Sequence, residues 1–437
     1  MIVSVKNFGQ IASASIDMST FSIFVGHNNS GKTLMMQLIY GVIDYLTRRI
    51  DISEHYTFGE LPITIDSTNF PEIEAAVNKV LREKKDEIVF STFKRRIPIE
   101  ALRVEFGEIE NEYTLKELPT SEIKEKYTIG LFLNEKGIAR IQRGKHVTLL
   151  FLCYILLSEG CGMLRLKKYH KIFLPASRTG IQLLSKFFFS NQFEDIDFEA
   201  LDNNAEGDED ETKEENEYGL TEPMHDFLVF LQEHTHSEEN TEKNAALIQF
   251  VEENLINGKL RLVNGEMWYT PDYDENLSVP PQISSSMVNE FAPLMRILSG
   301  IKRPRCIFYD EVETCLHPLK QIQMARLLVR MVNVGYKMIV STHSDTMAAA
   351  INNLILLSAS EQREQKAQAL GYDENDFLKP EKLSNVHVYQ FIPDKTGRTV
   401  VTELAPYFES GHGYNFDIFN ASNDKIYHDA MTILEDE

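Results

Sequence analysis

Gly26-His27-Asn28-Asn29-Ser30-Gly31-Lys32-Thr33 puts two glycines, a lysine and a hydroxyl at the spacing G-x-x-x-x-G-K-[ST]. Glycine lets the backbone turn sharply enough for successive N–H groups to curl round an anion. A lysine in the seventh position reaches the β- and γ-phosphates of a nucleotide, and the threonine hydroxyl is a hard ligand for Mg²⁺. Four fixed positions match by chance in about two of every hundred chains of this length, so context has to decide. Phe21–Val25 is an apolar run of buried-strand type just before the loop. Leu34, Gln37, Leu38, Gly41, Val42 and Tyr45 recur at helical spacing after it. A helix that starts at such a loop adds a favourable dipole for an anion. Gly26–Thr33 therefore reads as a nucleotide phosphate site.

A second acidic site lies far along the chain. Cys306-Ile-Phe-Tyr309 is another buried-strand run, and it ends in Asp310-Glu311. A carboxylate at the C-terminal end of a parallel strand faces the ligand crevice of an open α/β sheet. There Asp310 would hold Mg²⁺ through water, and Glu311 would act as general base on an attacking water. Two adjacent acids behind an apolar run also serve as an ordinary strand-to-helix cap. Tyr336–Val340 is the next apolar strand, and Ser341-Thr342-His343 follows it. His343 is placed to touch a γ-phosphate or position the water. It gains that meaning from the order of phosphate loop, acid pair and histidine, not from its own identity.

These groups need a sheet to hold them. Ile2, Val3 and Val5, a turn at Gly9-Gln10, then Ile16 and Met18 predict a strand pair ahead of the loop's own strand. Residues 50–145 alternate strand-like and helix-like pieces, with Pro62, Pro71, Pro98 and Pro119 as punctuation. Residues 199–218 are acidic and nearly free of large apolar side chains. They cannot bury enough surface to offset ordering, so a disordered loop is expected. Residues 222–257 read as two helices. Phe227, Leu228, Phe230 and Leu231 do not continue as heptads, so no long coiled-coil arm is expected. Leu260–Tyr269 carries a hairpin signal with Asn264-Gly265 as a type I′ turn. Phe291–Leu298 and Gln321–Val334 are helical in pattern, and the tail holds a strand pair, Val386–Ile392 and Thr399–Leu404, before a final helix.

Bulk properties narrow the function. A chain of 437 residues bounds the architecture to two or three units or one large domain with insertions. The net charge of −22 argues against a broad nucleic-acid or membrane footprint. Two basic runs remain, Lys94-Arg95-Arg96 and Arg165, Lys167, Lys168, Lys171. Each reads as a solvated face, with DNA contact as the lesser alternative. Cys153, Cys161, Cys306 and Cys315 form no C-x-x-C pair. They read as buried free thiols in a reducing compartment rather than a zinc site. His234 and His236 have no second ligand set and read as solvated. The N-terminus lacks the apolar region of a signal peptide. The most apolar run, Val147–Leu157, falls short of the ~20 residues a membrane span needs and reads as a buried helix. A soluble, cytoplasmic protein with no membrane partner is expected.

Lys32-Thr33, Asp310-Glu311 and Ser341-Thr342-His343 resemble the Walker A, Walker B and H-loop of ABC-type ATPase heads. Val3–Thr33 is similar to the N-termini of RecF-like and OLD-like heads. Tyr309–Pro318 resembles the E-P-E-x-x-L-H-P stretch of bacterial OLD-type and related AAA-labelled ATPases, with Val312 where proline is usual. Leu174–Gly180 resembles the L-P-A-x-R-x-G segment of that group. The resemblance implies an α/β head: a mixed β-sheet with flanking helices, an antiparallel β subdomain and a helical insertion. Residues 1–180 and 282–437 would form the two parts of the head, with 181–281 inserted.

The resemblance also implies that ATP and Mg²⁺ are bound in a head-to-tail homodimer or higher oligomer, each site completed by a signature segment from the other copy. Ser284-Ser285-Ser286-Met287 is the best match to that signature, where the family has a pattern closer to S-G-G-Q. Serines at a helix N-terminus still favour an anion, although they are also ordinary helix caps. The missing glycines imply slow hydrolysis. Arg178 would sense a phosphate, contact the partner protomer or form a surface salt bridge. His317-Pro318 falls at the dimer seam, and Gln142 and Gln182 are both candidates for the Q-loop. The favoured role is a switch or sensor in anti-phage defence, similar to PARIS- or Septu-type ATPases. It would respond to a phage-derived trigger and control a separately encoded effector such as a nuclease. Nucleic-acid contact stays open. A RecF- or Rad50-like repair head and a nucleotide-dependent scaffold with negligible turnover are the alternatives.

Overall fold

The computed structural model describes residues 1–18, 20–119, 129–141, 171–189, 219–232, 236–263, 265–280, 283–302, 304–408, 413–416, 425 and 427–433. The expected disordered loop at 199–218, the apolar run at 147–157, Gln142, His234, Cys153 and Cys161 lie outside these residues, as do Arg165, Lys167 and Lys168.

The chain opens with β1 (Ile2–Phe8), β2 (Ile11–Asp17) and β3 (Phe21–Gly26), and helix α1 (Lys32–Arg48) follows. Then come β4 (Ile63–Ile65), α2 (Phe70–Phe93), β5 (Ala101–Glu105), β6 (Tyr113–Glu117), β7 (Ile129–Leu133) and β8 (Lys136–Ile141). The middle holds β9 (Lys171–Leu174), α3 (Arg178–Phe189), α4 (Glu222–Gln232) and the hairpin β10 (Gly258–Val263) and β11 (Glu266–Pro271). The last third holds α5 (Ser286–Ser299), β12 (Cys306–Tyr309), α6 (Pro318–Asn333), β13 (Lys337–Thr342), α7 (Asp345–Ala359), β14 (Val386–Pro393) and β15 (Thr399–Leu404).

Nine strands form one mixed sheet in the order β5-β1-β2-β15-β14-β3-β13-β12-β9. Strands β14, β3, β13, β12 and β9 run parallel to one another. On the other side, β5, β1 and β2 are antiparallel. A separate antiparallel sheet has the order β4-β6-β7-β8. This is the mixed sheet with flanking helices that the family resemblance implies.

The parallel strands read as unbroken apolar runs because both of their faces are covered. Alternation along each strand sends side chains to two different cores. Phe24, Phe308 and Ile339 join the core under α1 and α2, whereas Ile23, Val25, Ile307, Tyr309 and Val340 join the core under α5, α6 and α7. All these residues are essentially inaccessible. Burying each such side chain contributes about 1.5–3 kcal/mol.

Residues 222–257 depart from the two helices expected. Short helices at Glu238–Lys243 and Ala245–Val251 and a π-helical turn at Glu252–Ile256 follow α4. Asn244 marks the break between the first two. Its Nδ2 donates to the Leu298 carbonyl at 2.7 Å, so the side chain bonds across to α5 instead of pointing to solvent. Asparagine competes for backbone groups in this way and interrupts helices. The hairpin matches its signal: Val263 pairs with Glu266, and Gly265 has φ 83°.

Lys171 also departs from expectation. It belongs to no solvated basic face. Its side chain is buried against Asp44 of α1, N to O 3.1 Å, and lies 3.3 Å from the centre of the Tyr40 ring. Arg48 approaches the same Asp44 oxygen at 3.1 Å, and Arg49 pairs with Glu222 at 2.9 Å. Tyr40 donates to Asp226 of α4 at 2.7 Å. The cluster ties the helix after the phosphate loop to the edge strand β9 and to α4. Burial pushes Asp44 up, but Lys171 and Arg48 outweigh it and hold the carboxyl below its ordinary value. Burial, and then the neighbouring Asp44 charge, push Glu222 up to about 7.

Two outcomes follow for stability. Asp44→Asn leaves Lys171 buried without its counter-charge and should cost about 3–5 kcal/mol in denaturant unfolding. Glu222 binds its proton more tightly folded than unfolded. Its contribution is therefore full below its ordinary value of 4.5 and lost as pH rises toward about 7. Melting temperatures of the wild type should fall across that window relative to Glu222→Gln. Parallel profiles would show that Glu222 titrates normally.

Candidate functional site

The phosphate loop leaves the sheet at the C-terminal end of β3, a central strand of the parallel half. Gly26 is required by close approach: a Cβ there would meet the Phe391 carbonyl oxygen at 2.8 Å and Ser30 Oγ at 2.9 Å. Gly31 has φ 90° and precedes α1 without a side-chain cap. The first N–H groups of α1 therefore have no side-chain acceptor at the cap and can serve an anion. Asn28–Thr33 line a cavity of about 340 Å³ together with Gln10, Leu34, Gln37, Phe93 and Glu311.

Lys32 folds back over the loop. Its Nζ donates to the Gly26 and His27 carbonyls at 2.8 and 2.9 Å and to Ser30 Oγ at 3.4 Å. Burial lowers its affinity for the proton, while Asp310, Glu311 and Glu313 act in the opposite direction. Phosphate oxygens entering the loop would compete with those carbonyls for the ammonium.

Asp310 sits at the end of β12 and is 2% exposed. Thr33 Oγ1 donates to its Oδ2 at 2.8 Å, and Ser341 Oγ donates to its Oδ1 at 2.5 Å. The Glu311 N–H donates to the same Ser341 hydroxyl at 2.8 Å. Strand β13 lies between β3 and β12, so Ser341, next to its last residue, is the physical link between loop and acid pair. Burial pushes the Asp310 carboxyl up, and the two hydroxyl bonds oppose that shift.

The Thr33–Asp310 pair suits Mg²⁺ on chemical grounds. Both atoms are hard oxygens, the kind that Mg²⁺ prefers, and Thr33 would bind the ion directly while Asp310 would hold it through water. Three carboxylates also surround Lys32, so a triphosphate would be repelled without a divalent cation. Among the described residues no three His, Cys, Asp or Glu side chains form a metal cage. Phosphate and water would complete the shell.

Glu311 has φ 46°, in the left-handed region that a side chain disfavours. Its backbone is held from several sides. Thr314 Oγ1 donates to its carbonyl at 2.8 Å and Arg178 does so at 3.2 Å. The His343 ring approaches Glu311, with Nδ1 3.8 Å from Oε1. A closer partner of His343 is Glu313, whose Oε1 is 3.0 Å from Nδ1 and accepts the His343 N–H at 2.7 Å.

The structure brings together Gly26–Thr33, Asp310, Glu311 and His343. It places Ser284–Ser286 elsewhere, outside the cavity. Ser285 caps α5, accepting from the Val288 N–H at 3.3 Å, and Ser285 and Ser286 are exposed. Arg178 corrects its expectation. It makes no surface salt bridge but is fully buried, paired with Glu290 of α5. Cys315 is exposed rather than buried. His317 is an exposed cap of α6, its Nδ1 accepting from the Leu319 N–H at 3.3 Å. Gln182 does not line the cavity, whereas Gln10 and Gln37 do. Gln10 Nε2 donates to the Asn29 carbonyl at 3.0 Å. Sequence reasoning missed Gln10, Ser341 and Glu313 as site residues. Only Glu313 left a signal, as the second acid in Asp310-Glu-Val-Glu313.

A family model described as an AAA ATPase domain matches residues 1–261. The chain belongs to this ATPase domain family. The match includes the phosphate loop and stops before Asp310, Glu311 and His343. No curated protein matches the chain. Solved structures that match include an SMC head domain from Thermotoga maritima, at 12% identity and TM-score 0.37, covering 92% of this chain and 98% of that one. An Smc head with an extended coiled coil, bound to the C-terminal domain of ScpA derived from Pyrococcus furiosus, matches at 12% and 0.36, covering 100% and 98%. Superpositions this loose carry no argument about what the ATPase domain does.

Ser341 is the testable link in the geometry. Ser341→Ala removes the bond to Asp310 and the acceptor of the Glu311 N–H, all in a buried site. It should cost about 1–3 kcal/mol in denaturant unfolding. A change near zero would mean that the hydroxyl links nothing.

Proposed function

We propose that the chain is an ABC-type ATPase that binds ATP with Mg²⁺ at Gly26–Thr33 and hydrolyses it slowly. The observation that carries this reading is the hydrogen-bonded path Thr33–Asp310–Ser341–Glu311, which ties the phosphate loop and the acid pair into one wall. Lys32 and the first N–H groups of α1 hold the phosphates. Thr33 and Asp310 hold Mg²⁺, which when bound neutralises phosphate charge. Glu311 accepts a proton from the attacking water, and His343, oriented by Glu313, approaches the γ-phosphate.

The site is open on one side, with Glu311 and His343 each about a third exposed. That supports completion by a second copy, whose Ser284–Ser286 at the N-terminus of α5, with Ser285 and Ser286 exposed, would supply anion-binding groups. Two-fold pairing then gives two shared nucleotides, and hydrolysis removes the γ-phosphate that bridges the copies. In the cell this switch acts in anti-phage defence and controls a separately encoded effector, a nuclease by preference. The motif resemblances around Asp310 and Leu174–Gly180 support that role. The net charge of −22 weighs against a repair head that clamps DNA.

With ATP, Glu311→Gln should accumulate as a dimer or larger assembly in size-exclusion chromatography, and Lys32→Ala should not. Equal assembly of Lys32→Ala without nucleotide would sink the ATP switch. For the cellular role, phage plating on cells carrying the protein with its effector should rise to the unprotected level in Glu311→Gln.

A further inference from the structure

Arg178 lies at the start of α3 with none of its surface exposed, directly behind the acid pair. One of its terminal nitrogens donates to the Pro175 and Asp310 carbonyls at 3.0 and 2.9 Å, and the other donates to the Glu311 carbonyl at 3.2 Å. The guanidinium stacks over the Tyr309 ring, 4.7 Å from its centre. Its Nε pairs with Glu290 of α5, which is 2% exposed and also accepts from Thr179. Of these residues Glu311 lines the cavity of the phosphate loop, and Arg178 and Glu290 do not.

A buried arginine is retained only where its charge is paired and its donors are engaged; here the terminal nitrogens bond the carbonyls of 175, 310 and 311, and the charge is paired with Glu290. Those two residues are where the backbone is strained: Glu311 holds φ 46° with a full side chain. Left-handed backbone without glycine persists only where surrounding contacts over-determine it. Ser341 supplies one such contact from the strand side, at the Glu311 N–H. Arg178 and Thr314 share the Glu311 carbonyl on the other side, and only Arg178 joins it to the Asp310 carbonyl and to α5, so the residue is clamped from both ends.

We infer that Arg178 is a positioning residue for Glu311, and that Glu290 orients it, so that the carboxylate of 311 is presented to the attacking water. The inference rests on Glu311 acting as general base in the proposed ATPase. It requires the fork of a guanidinium, whose separate nitrogens face the 310 carbonyl, the 311 carbonyl and Glu290, whereas an ammonium presents its donors from a single point.

The test is steady-state ATP hydrolysis by the full chain, with binding of a fluorescent ATP analogue and melting temperature measured alongside. Arg178→Lys keeps the charge and loses the fork. Its kcat should fall on the order of tenfold or more, as expected when a reacting group is misplaced, while KM and analogue affinity stay within about twofold. Glu290→Gln keeps an acceptor and should lower kcat less, and Glu290→Gln with Arg178→Lys should be no worse than Arg178→Lys alone. A folded Arg178→Lys with wild-type kcat overturns the inference, as does a loss shared equally by kcat and affinity. Should Arg178→Lys fail to fold, Glu290→Gln carries the same decision. Wild-type protein without turnover, indistinguishable from Glu311→Gln, would sink the ATPase reading itself. Wild-type turnover that Glu311→Gln abolishes and Arg178→Lys retains sinks only the positioning role.

Discussion

The carboxylate of Asp310 is the point on which the site depends. It is nearly inaccessible, yet both of its oxygens are satisfied, one by Thr33 from the phosphate loop and one by Ser341 from the neighbouring strand. A buried carboxylate without partners would cost several kcal/mol, so these hydroxyls are structural requirements before they are chemical ones. Their strands lie side by side in the order β3, β13, β12. Satisfying Asp310 therefore brings three strand ends into fixed relation, and the phosphate loop, the acid pair and His343 come with them.

The parts behind this wall are built to keep it rigid. The ion cluster around Lys171 and Asp44 anchors α1 to β9, so the helix that begins at the phosphate loop cannot rotate away from the sheet. The Arg178–Glu290 pair joins α3, α5 and the acid pair in the same way. Buried ion pairs contribute little net stability compared with apolar packing, but breaking one leaves an uncompensated charge. Such pairs specify position more than they add strength, which is what a site with a strained Glu311 requires. The front of the wall is built differently, with Glu311 partly exposed at the cavity and His343, beside it, equally exposed.

Much of this was legible in the sequence, and the limits are specific. Phe21–Val25, Cys306–Tyr309 and Tyr336–Val340 declared themselves as buried strands because residues covered on both faces must be continuously apolar. The phosphate loop was legible because its glycines answer to local demands of backbone and close contact. Residues 222–257 were misjudged because Asn244 breaks the helix through a bond to Leu298, a residue distant in sequence. Lys171 was misjudged because charge alone does not tell a solvated lysine from one whose counter-ion, Asp44, arrives from another helix. Arg178 likewise showed a motif but not a location.

By itself the sequence determined the strand–loop–helix unit, the acid pair at a strand end and the order of phosphate loop, acids and histidine. Each rests on residues close together in the chain, where periodicity and turn chemistry act. Tertiary structure alone decided that Ser341 bridges Asp310 and Glu311, that Glu313 holds His343 and that Arg178 faces inward. It also decided that Ser284–Ser286 stand apart from the cavity. Those outcomes depend on strand order and on which buried charges must find partners, and neither is written in local spacing.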